Sequence, residues 1–181
     1  MMNLAIYAPL LTYSALWVIS ERAIGDNIIM AAKIATIQET FYSGKLNSRQ
    51  GLMEYQDFVE QMPNALGENP FPLFHSFSDG LYSREVHMPK NHLIVSQLHK
   101  FESMVHILEG KVLIADQDGT RLVEAPAKFV SKSGDKRAIF PIEDTVWINY
   151  HPITVKDEVE AESLLYAKTY EDYDNFIGEV A

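Results

Sequence analysis

Residues 97–119 read QLHKFESMVHILEGKVLIADQDG, and this run decides the fold. Two short apolar segments, 104–108 and 111–115, flank Glu109-Gly110, and Asp118-Gly119 follows as a hairpin turn. Upstream, segments 81–87 and 92–101 read as strands on either side of Pro89-Lys90-Asn91. Downstream come 121–123, 128–131, 137–140 and 145–150, with Ser133-Gly134-Asp135 and residues 141–144 as breaks. About eight short strands at about ten-residue spacing, with no long helix between them, predict an antiparallel sandwich or small barrel.

The flanks have other patterns. Residues 4–19 carry no charge and include Tyr7, Pro9, Tyr13 and Trp17. No basic residue precedes them, as a signal peptide wants, and the run is shorter than a membrane span of about 20 residues. We read an apolar arm that packs on the body or on a partner, with membrane contact and a signal as alternatives. Two amphipathic helices follow. Asp26 reads as an N-cap, Met30, Ile34, Ile37 and Phe41 recur at helical spacing, and Gly44 stands where the helix stops. Ser48 caps the second helix, Leu52, Tyr55, Phe58, Val59 and Met62 form its face, and Pro63 ends it. Residues 64–80 read as loop. Beyond Pro152 the chain turns acidic: Thr154 and Asp157 stand in capping-box spacing, 159–165 reads as a short helix, and Tyr166, Tyr170, Tyr173 and Phe176 alternate with acids. The expected organisation is an arm and helical extension over 1–63, a β-barrel over 64–155, and an acidic tail over 156–181 laid on the barrel.

The chain has 181 residues, 47% hydrophobic and 22% charged, which suits one domain with extensions. It has no cysteine, so it holds no disulfide, no zinc ribbon and no thiol nucleophile. Any metal site must use His, Asp or Glu. Absence of cysteine fits a reducing compartment such as the cytoplasm. The net charge of −10 argues against a phosphate-backbone binder. It is spread as −4 over residues 1–80, 0 over 81–153 and −6 over 154–181.

Five of the six histidines, His87, His92, His99, His106 and His151, fall among the strands. His99 ends one strand and His106 lies on the next, so a third strand returning past them aims His99, Glu102, His106 and His151 at one barrel mouth. Imidazoles with a carboxylate suit a divalent metal: iron, manganese, nickel or zinc. Lys136 and Arg137 are candidates for holding an anionic ligand, with Trp147 beside them as a packing or binding residue. His75, His87 and His92 read as peripheral. No Gly-rich phosphate loop, no Gly-x-Ser-x-Gly and no His-Glu-x-x-His occurs, and no basic stripe with interleaved aromatics suggests nucleic-acid binding.

Over residues 65–155 the sequence resembles the cupin superfamily. That pattern has two His one residue apart, then a Glu, then a Gly; a Pro-x-Gly precedes a third His. Here His99 and Gly110 match, while the other ligand positions hold Phe101, Ser103 and Arg137, and the second motif falls on Lys132-Ser133-Gly134. A nearer likeness is to small cupin-like proteins of bacteriophages and prophages. It rests on Gly80-Leu81-Tyr82-Ser83-Arg84-Glu85, Pro89-Lys90, His99-Lys100-Phe101-Glu102, Gly134-Asp135-Lys136-Arg137, and Glu143-Asp144-Thr145-Val146-Trp147 through to His151. The resemblance implies a mainly β, cupin-like antiparallel barrel or jelly roll with an N-terminal helical extension and a short C-terminal helical tail. It leaves two functions open. One is a non-enzymatic structural, assembly or binding module with a degenerate metal site, in a host cytoplasm or a virion, forming a homo-oligomer or docking into a larger assembly through the arm. The other is a metal-dependent isomerase, lyase or dioxygenase acting on a small molecule. A metal-free sugar or nucleotide binder using Arg84, Arg137 and Trp147 is a third.

Overall fold

Two antiparallel sheets face each other, and the order of their strands defines the architecture. The structure, a computed structural model, describes residues 27–63, 65–67 and 70–180, with side chains from residue 35 onward. The apolar arm and the Asp26 cap lie outside the described residues. Helices α1 (Asn27–Tyr42) and α2 (Arg49–Glu60) come first. Strands β1 (Leu73–Ser78), β2 (Leu81–Met88), β3 (Ile94–Val95), β4 (Leu98–His99), β5 (Ser103–Glu109), β6 (Lys111–Asp116), β7 (Gly119–Glu124), β8 (Ala127–Ser131), β9 (Ala138–Pro141) and β10 (Thr145–His151) follow. The chain continues with α3 (Glu158–Leu165), β11 (Tyr166–Ala167) and α4 (Tyr170–Val180).

One sheet has the order β1-β2-β10-β5-β8, the other β3-β9-β6-β7, and β4 pairs with β11. Leaving out the edge strand β1, successive strands of β2, β3, β5 to β10 fill two four-stranded sheets in the manner of an eight-stranded jelly roll. Between the sheets, Val105, Ile107, Val112, Ile114, Ile139 and Trp147 form the core. β6 explains its own sequence. Val112 and Ile114 face this core, while Leu113 and Ala115 face a second one on the far side, so Val112-Leu113-Ile114-Ala115 is apolar without alternation.

The second core joins the helices to the barrel. Ile37 and Phe41 of α1 and Leu52 and Tyr55 of α2 pack with Leu113, Ala115, Ala138 and Phe140. Polar contacts reinforce the joint: Thr120 Oγ1 donates to the Phe41 carbonyl at 2.5 Å, and Asn47 Nδ2 to the Asp116 carbonyl at 2.7 Å. The Ser48 hydroxyl caps α2 by accepting from the Gly51 amide. At the other end, Val155, Ala161 and Leu165 pack on Tyr82, and Ala167 and Tyr173 on Leu98.

Three expectations are corrected. Residues 64–80 are not all loop: the whole of β1 pairs antiparallel with residues 81–86 of β2, joined by a turn at Asp79-Gly80. The segment 92–101 is not one strand. β3 pairs with β9 and β4 pairs with β11, so the chain changes sheets between them. The capping box at α3 is shifted. Asp157 accepts from the Glu160 amide, Glu160 Oε2 accepts from the Lys156 amide, and Thr154 Oγ1 instead accepts from the Gly80 amide.

Candidate functional site

The end of the barrel where β10 stops gathers four rings by strand register. His151 is paired with Tyr82 across β10 and β2, and His99 with Tyr166 across β4 and β11. Alternation along β10 sends Thr145, Trp147, Asn149 and His151 inward. The rings of His99 and His151 lie 6.1 Å apart at 20°, and those of His151 and Tyr82 5.7 Å apart at 20°. Tyr166 stands edge-on to both imidazoles, 5.1 Å from His99 and 6.2 Å from His151. His75 extends the stack, 6.0 Å from Tyr82, with Nδ1 2.8 Å from the Tyr82 hydroxyl. It opens on a groove of about 370 Å³ lined by Phe71, Leu73, His75, Glu158, Val159 and Glu162. His75 is therefore part of this end of the barrel, not peripheral.

His99 and His151 are buried, and Nδ1 of His99 and both ring nitrogens of His151 have no protein partner. Burial, then the positive charges of Arg137, His151, Arg84 and Lys136, holds His99 well below its usual range. Burial and the Arg84 charge lower His151 to about 4. Both imidazoles are neutral at pH 7, each with one N–H and one lone pair to offer. Burial raises the hydroxyls of Tyr82 and Tyr166, which stay protonated. Buried nitrogens without partners are uncommon in folded proteins and mark a place for a ligand or ordered water.

His99 and His151 are brought together; the remaining candidates are not. Glu102 is exposed. His106 alternates with the buried Val105 and Ile107 and lies on the outer face of β5. Among the described residues no three His, Asp or Glu side chains converge as a metal set. The positions where the cupin pattern would place further ligands are already engaged. Ser103 Oγ accepts from Asn149 Nδ2 at 3.2 Å, Asn149 Oδ1 accepts from Trp147 Nε1 at 2.7 Å, and Phe101 packs on Phe176. Arg137 is buried, with Nε 3.2 Å from Asp116, Nη1 donating to Ser131 Oγ at 2.8 Å, and Nη2 on Asp135. Lys136 is buried too. Its Nζ donates to the Ser96 carbonyl at 3.0 Å, and desolvation lowers it to about 8. Trp147 is a core residue edge-on to Phe129. Among the described residues, the candidate metal set His99, Glu102, His106 and His151 thus does not converge.

Sequence reasoning missed Tyr82, Tyr166 and His75. Tyr82 lay within the quoted motif beginning at Gly80; nothing in the sequence pointed to Tyr166, whose place follows from pairing with a strand 67 positions earlier. No protein-family model matches the sequence, and no curated protein does. Among solved structures, a cupin superfamily protein of Desulfitobacterium hafniense is 13% identical, over 48% of this chain and 81% of that one, with a TM-score of 0.40. A cupin-2 domain containing protein of Shewanella frigidimarina is also 13% identical, over 59% and 100%, with a TM-score of 0.40. The cupin domain of Cnp3 from Schizosaccharomyces pombe is 20% identical, over 44% and 60%, with a TM-score of 0.36. These likenesses give no residue a role. By its own strand order, the chain is an antiparallel jelly roll with helices at both ends.

Proposed function

We propose that the chain is a non-enzymatic binding module of phage type, whose barrel end takes a small organic carboxylate between His99 and His151. The observation that carries this reading is the set of three buried imidazole nitrogens without protein partners, at a place where, among the described residues, no three His, Asp or Glu side chains converge as a metal set. Two neutral imidazoles supply N–H donors, and the Arg84 charge that depresses both favours an anion. Tyr166, edge-on to both imidazoles, borders the proposed place of the ligand. The phage-type part of this reading draws its support from the motifs between Gly80 and His151, and the setting proposed with it is a host cytoplasm or a virion. The net charge of −10 speaks against nucleic acid as a partner. Among the described residues no helix is long and apolar enough to cross a membrane.

The competing reading, a metal-dependent isomerase, lyase or dioxygenase, has one observation in its favour: neutral imidazoles are the ligating form. The two readings separate in one experiment on the full chain purified without a metal-binding tag. Its metal content is measured beside a His99→Ala/His151→Ala variant, and both are titrated with acetate and lactate while the imidazole resonances are followed. The binding-module reading expects no stoichiometric metal, and carboxylate-dependent shifts of the His99 and His151 signals. Stoichiometric iron, manganese, nickel or zinc that disappears in the variant overturns it. Imidazole signals indifferent to both carboxylates remove that ligand class.

A further inference from the structure

An edge strand leaves one side of its backbone unpaired and so offers a template to another chain. Among the described residues, the edges of the two large sheets are β1 and β8, and β3 and β7. Three of these carry the usual safeguards of charge or shortness. β8 holds Lys128, β7 holds Arg121 and Glu124, and β3 is two residues long. β1, Leu73-Phe74-His75-Ser76-Phe77-Ser78, runs for six residues with no Asp, Glu, Lys, Arg or Pro. Phe74 is 52% exposed and Phe77 42%. One bond sets the hydrogen-bonding sense of the strand. The His87 amide donates to the Pro72 carbonyl at 3.1 Å, one position before the Leu73–Val86 pair. Antiparallel pairing alternates, so Phe74, Ser76 and Ser78 turn their main chain to β2. Leu73, His75 and Phe77 turn theirs to the open edge.

The side chains of Leu73 and His75 line the groove whose other wall is Glu158, Val159 and Glu162 of α3. Glu158 and Glu162 stand one turn apart on that helix, and Glu158 Oε2 lies 3.4 Å from His75 Nε2. Arg84, the register partner of His75, holds its guanidinium 5.9 Å from the Tyr166 ring and is not among the residues lining the groove. The surrounding sequence is acidic as well: no Lys or Arg stands between Arg49 and Arg84, and residues 154–181 carry net −6. An open strand edge beside a groove with apolar and carboxylate walls suits an extended segment that carries cations. Ladder bonds would hold its main chain, and its side chains opposite Leu73 and His75 would fall on the groove side of the sheet. Charge complementarity selects the occupant. Residues 4–19 of the chain itself are uncharged, and β1 of a second copy holds no Lys or Arg, so neither brings a cation to Glu158 and Glu162. We propose that β1 and its groove dock an extended, basic segment of a partner protein, added to the five-stranded sheet as a further strand.

The test uses the full chain and an end-blocked peptide of about ten residues in which Lys and Thr alternate, long enough to pair with all of β1. Binding is read by fluorescence anisotropy, and the backbone amides of the protein are followed by NMR. Saturable binding is expected, with the amides of Leu73, His75 and Phe77 shifting and gaining protection from exchange. Glu158→Gln/Glu162→Gln should weaken it by about tenfold or more. The same peptide N-methylated at each lysine keeps its charge and loses the donors that face β1, so it should not bind. Equal binding by the methylated peptide, by a Glu-Thr counterpart or by the glutamine variant overturns the proposal, as does no binding at about 1 mM peptide. In the free chain the same three amides should exchange freely. Slow exchange there, whether the chain's own arm or a second copy sits on β1, overturns it too.

Discussion

The imidazole of His151 is sandwiched between the ring of His99 at 6.1 Å and that of Tyr82 at 5.7 Å, while neither of its nitrogens meets a protein partner. A histidine held this way costs stability when it must be charged. An unfolded histidine titrates near 6.5, and His151 in the fold near 4. Between those values the unfolded chain binds more protons, so stability falls as pH falls. The shift corresponds to roughly 3 kcal/mol between pH 7 and pH 4. His99, lowered for the same first cause, acts in the same direction. Urea midpoints of the parent and of His151→Phe, measured at each pH, should diverge, with the variant losing less. Parallel curves would sink the argument.

Arg137 ties Asp116 and Asp135 together in the interior, with Arg121 completing the charge balance on Asp116 at 2.9 Å. Removing the guanidinium takes away the cation that the two carboxylates share, leaving Asp116 to Arg121 alone and Asp135 without an arginine partner. Arg137→Met should therefore destabilise the fold by about 3–5 kcal/mol. Denaturant unfolding measures this. A loss below about 1 kcal/mol would show the network to be dispensable.

The helices share a core with the barrel, so they are not a removable extension. Phe41 is fully buried and edge-on to Tyr55 at 6.3 Å. Phe41→Ala should cost about 3–5 kcal/mol, and a fragment beginning at residue 65 should fail to give a cooperative melt. A fragment that melts cooperatively would contradict the shared core.

Gly110 takes φ +88, and a Cβ there would lie 2.2 Å from the Asp144 carbonyl oxygen. Backbone conformation and close approach both require glycine. Gly110→Ala should lower stability by at least about 2 kcal/mol, read as a drop in melting temperature; an unchanged melt would refute it.

Much of this fold is legible in the sequence because β5 to β10 are short runs, alternating or wholly apolar, cut by turn residues. β1 escapes that reading: it follows Pro70 and Pro72, and its four exposed residues, Phe74, Ser76, Phe77 and Ser78, lean on pairing with β2 for their conformation rather than on burial. The split of 92–101 is set by two different partners, β9 and β11, which no local pattern reveals. In the site, His99 and His151 announce themselves by residue type. The outward turn of His106 was readable from its apolar neighbours Val105 and Ile107, since adjacent strand residues cannot both face inward. Tyr82 and Tyr166 were not, because tyrosine reads as ordinary packing until register sets it against an imidazole.

The pairing of Tyr166 with His99 also has a consequence in time. All eight jelly-roll strands precede Tyr166 in the chain. During synthesis, which presents the chain from its N-terminus, the barrel can assemble while its histidine end still stands open. Tyr166 leaves the ribosome after every one of those strands, so His99 and His151 are in place before the ring that stands edge-on to both of them.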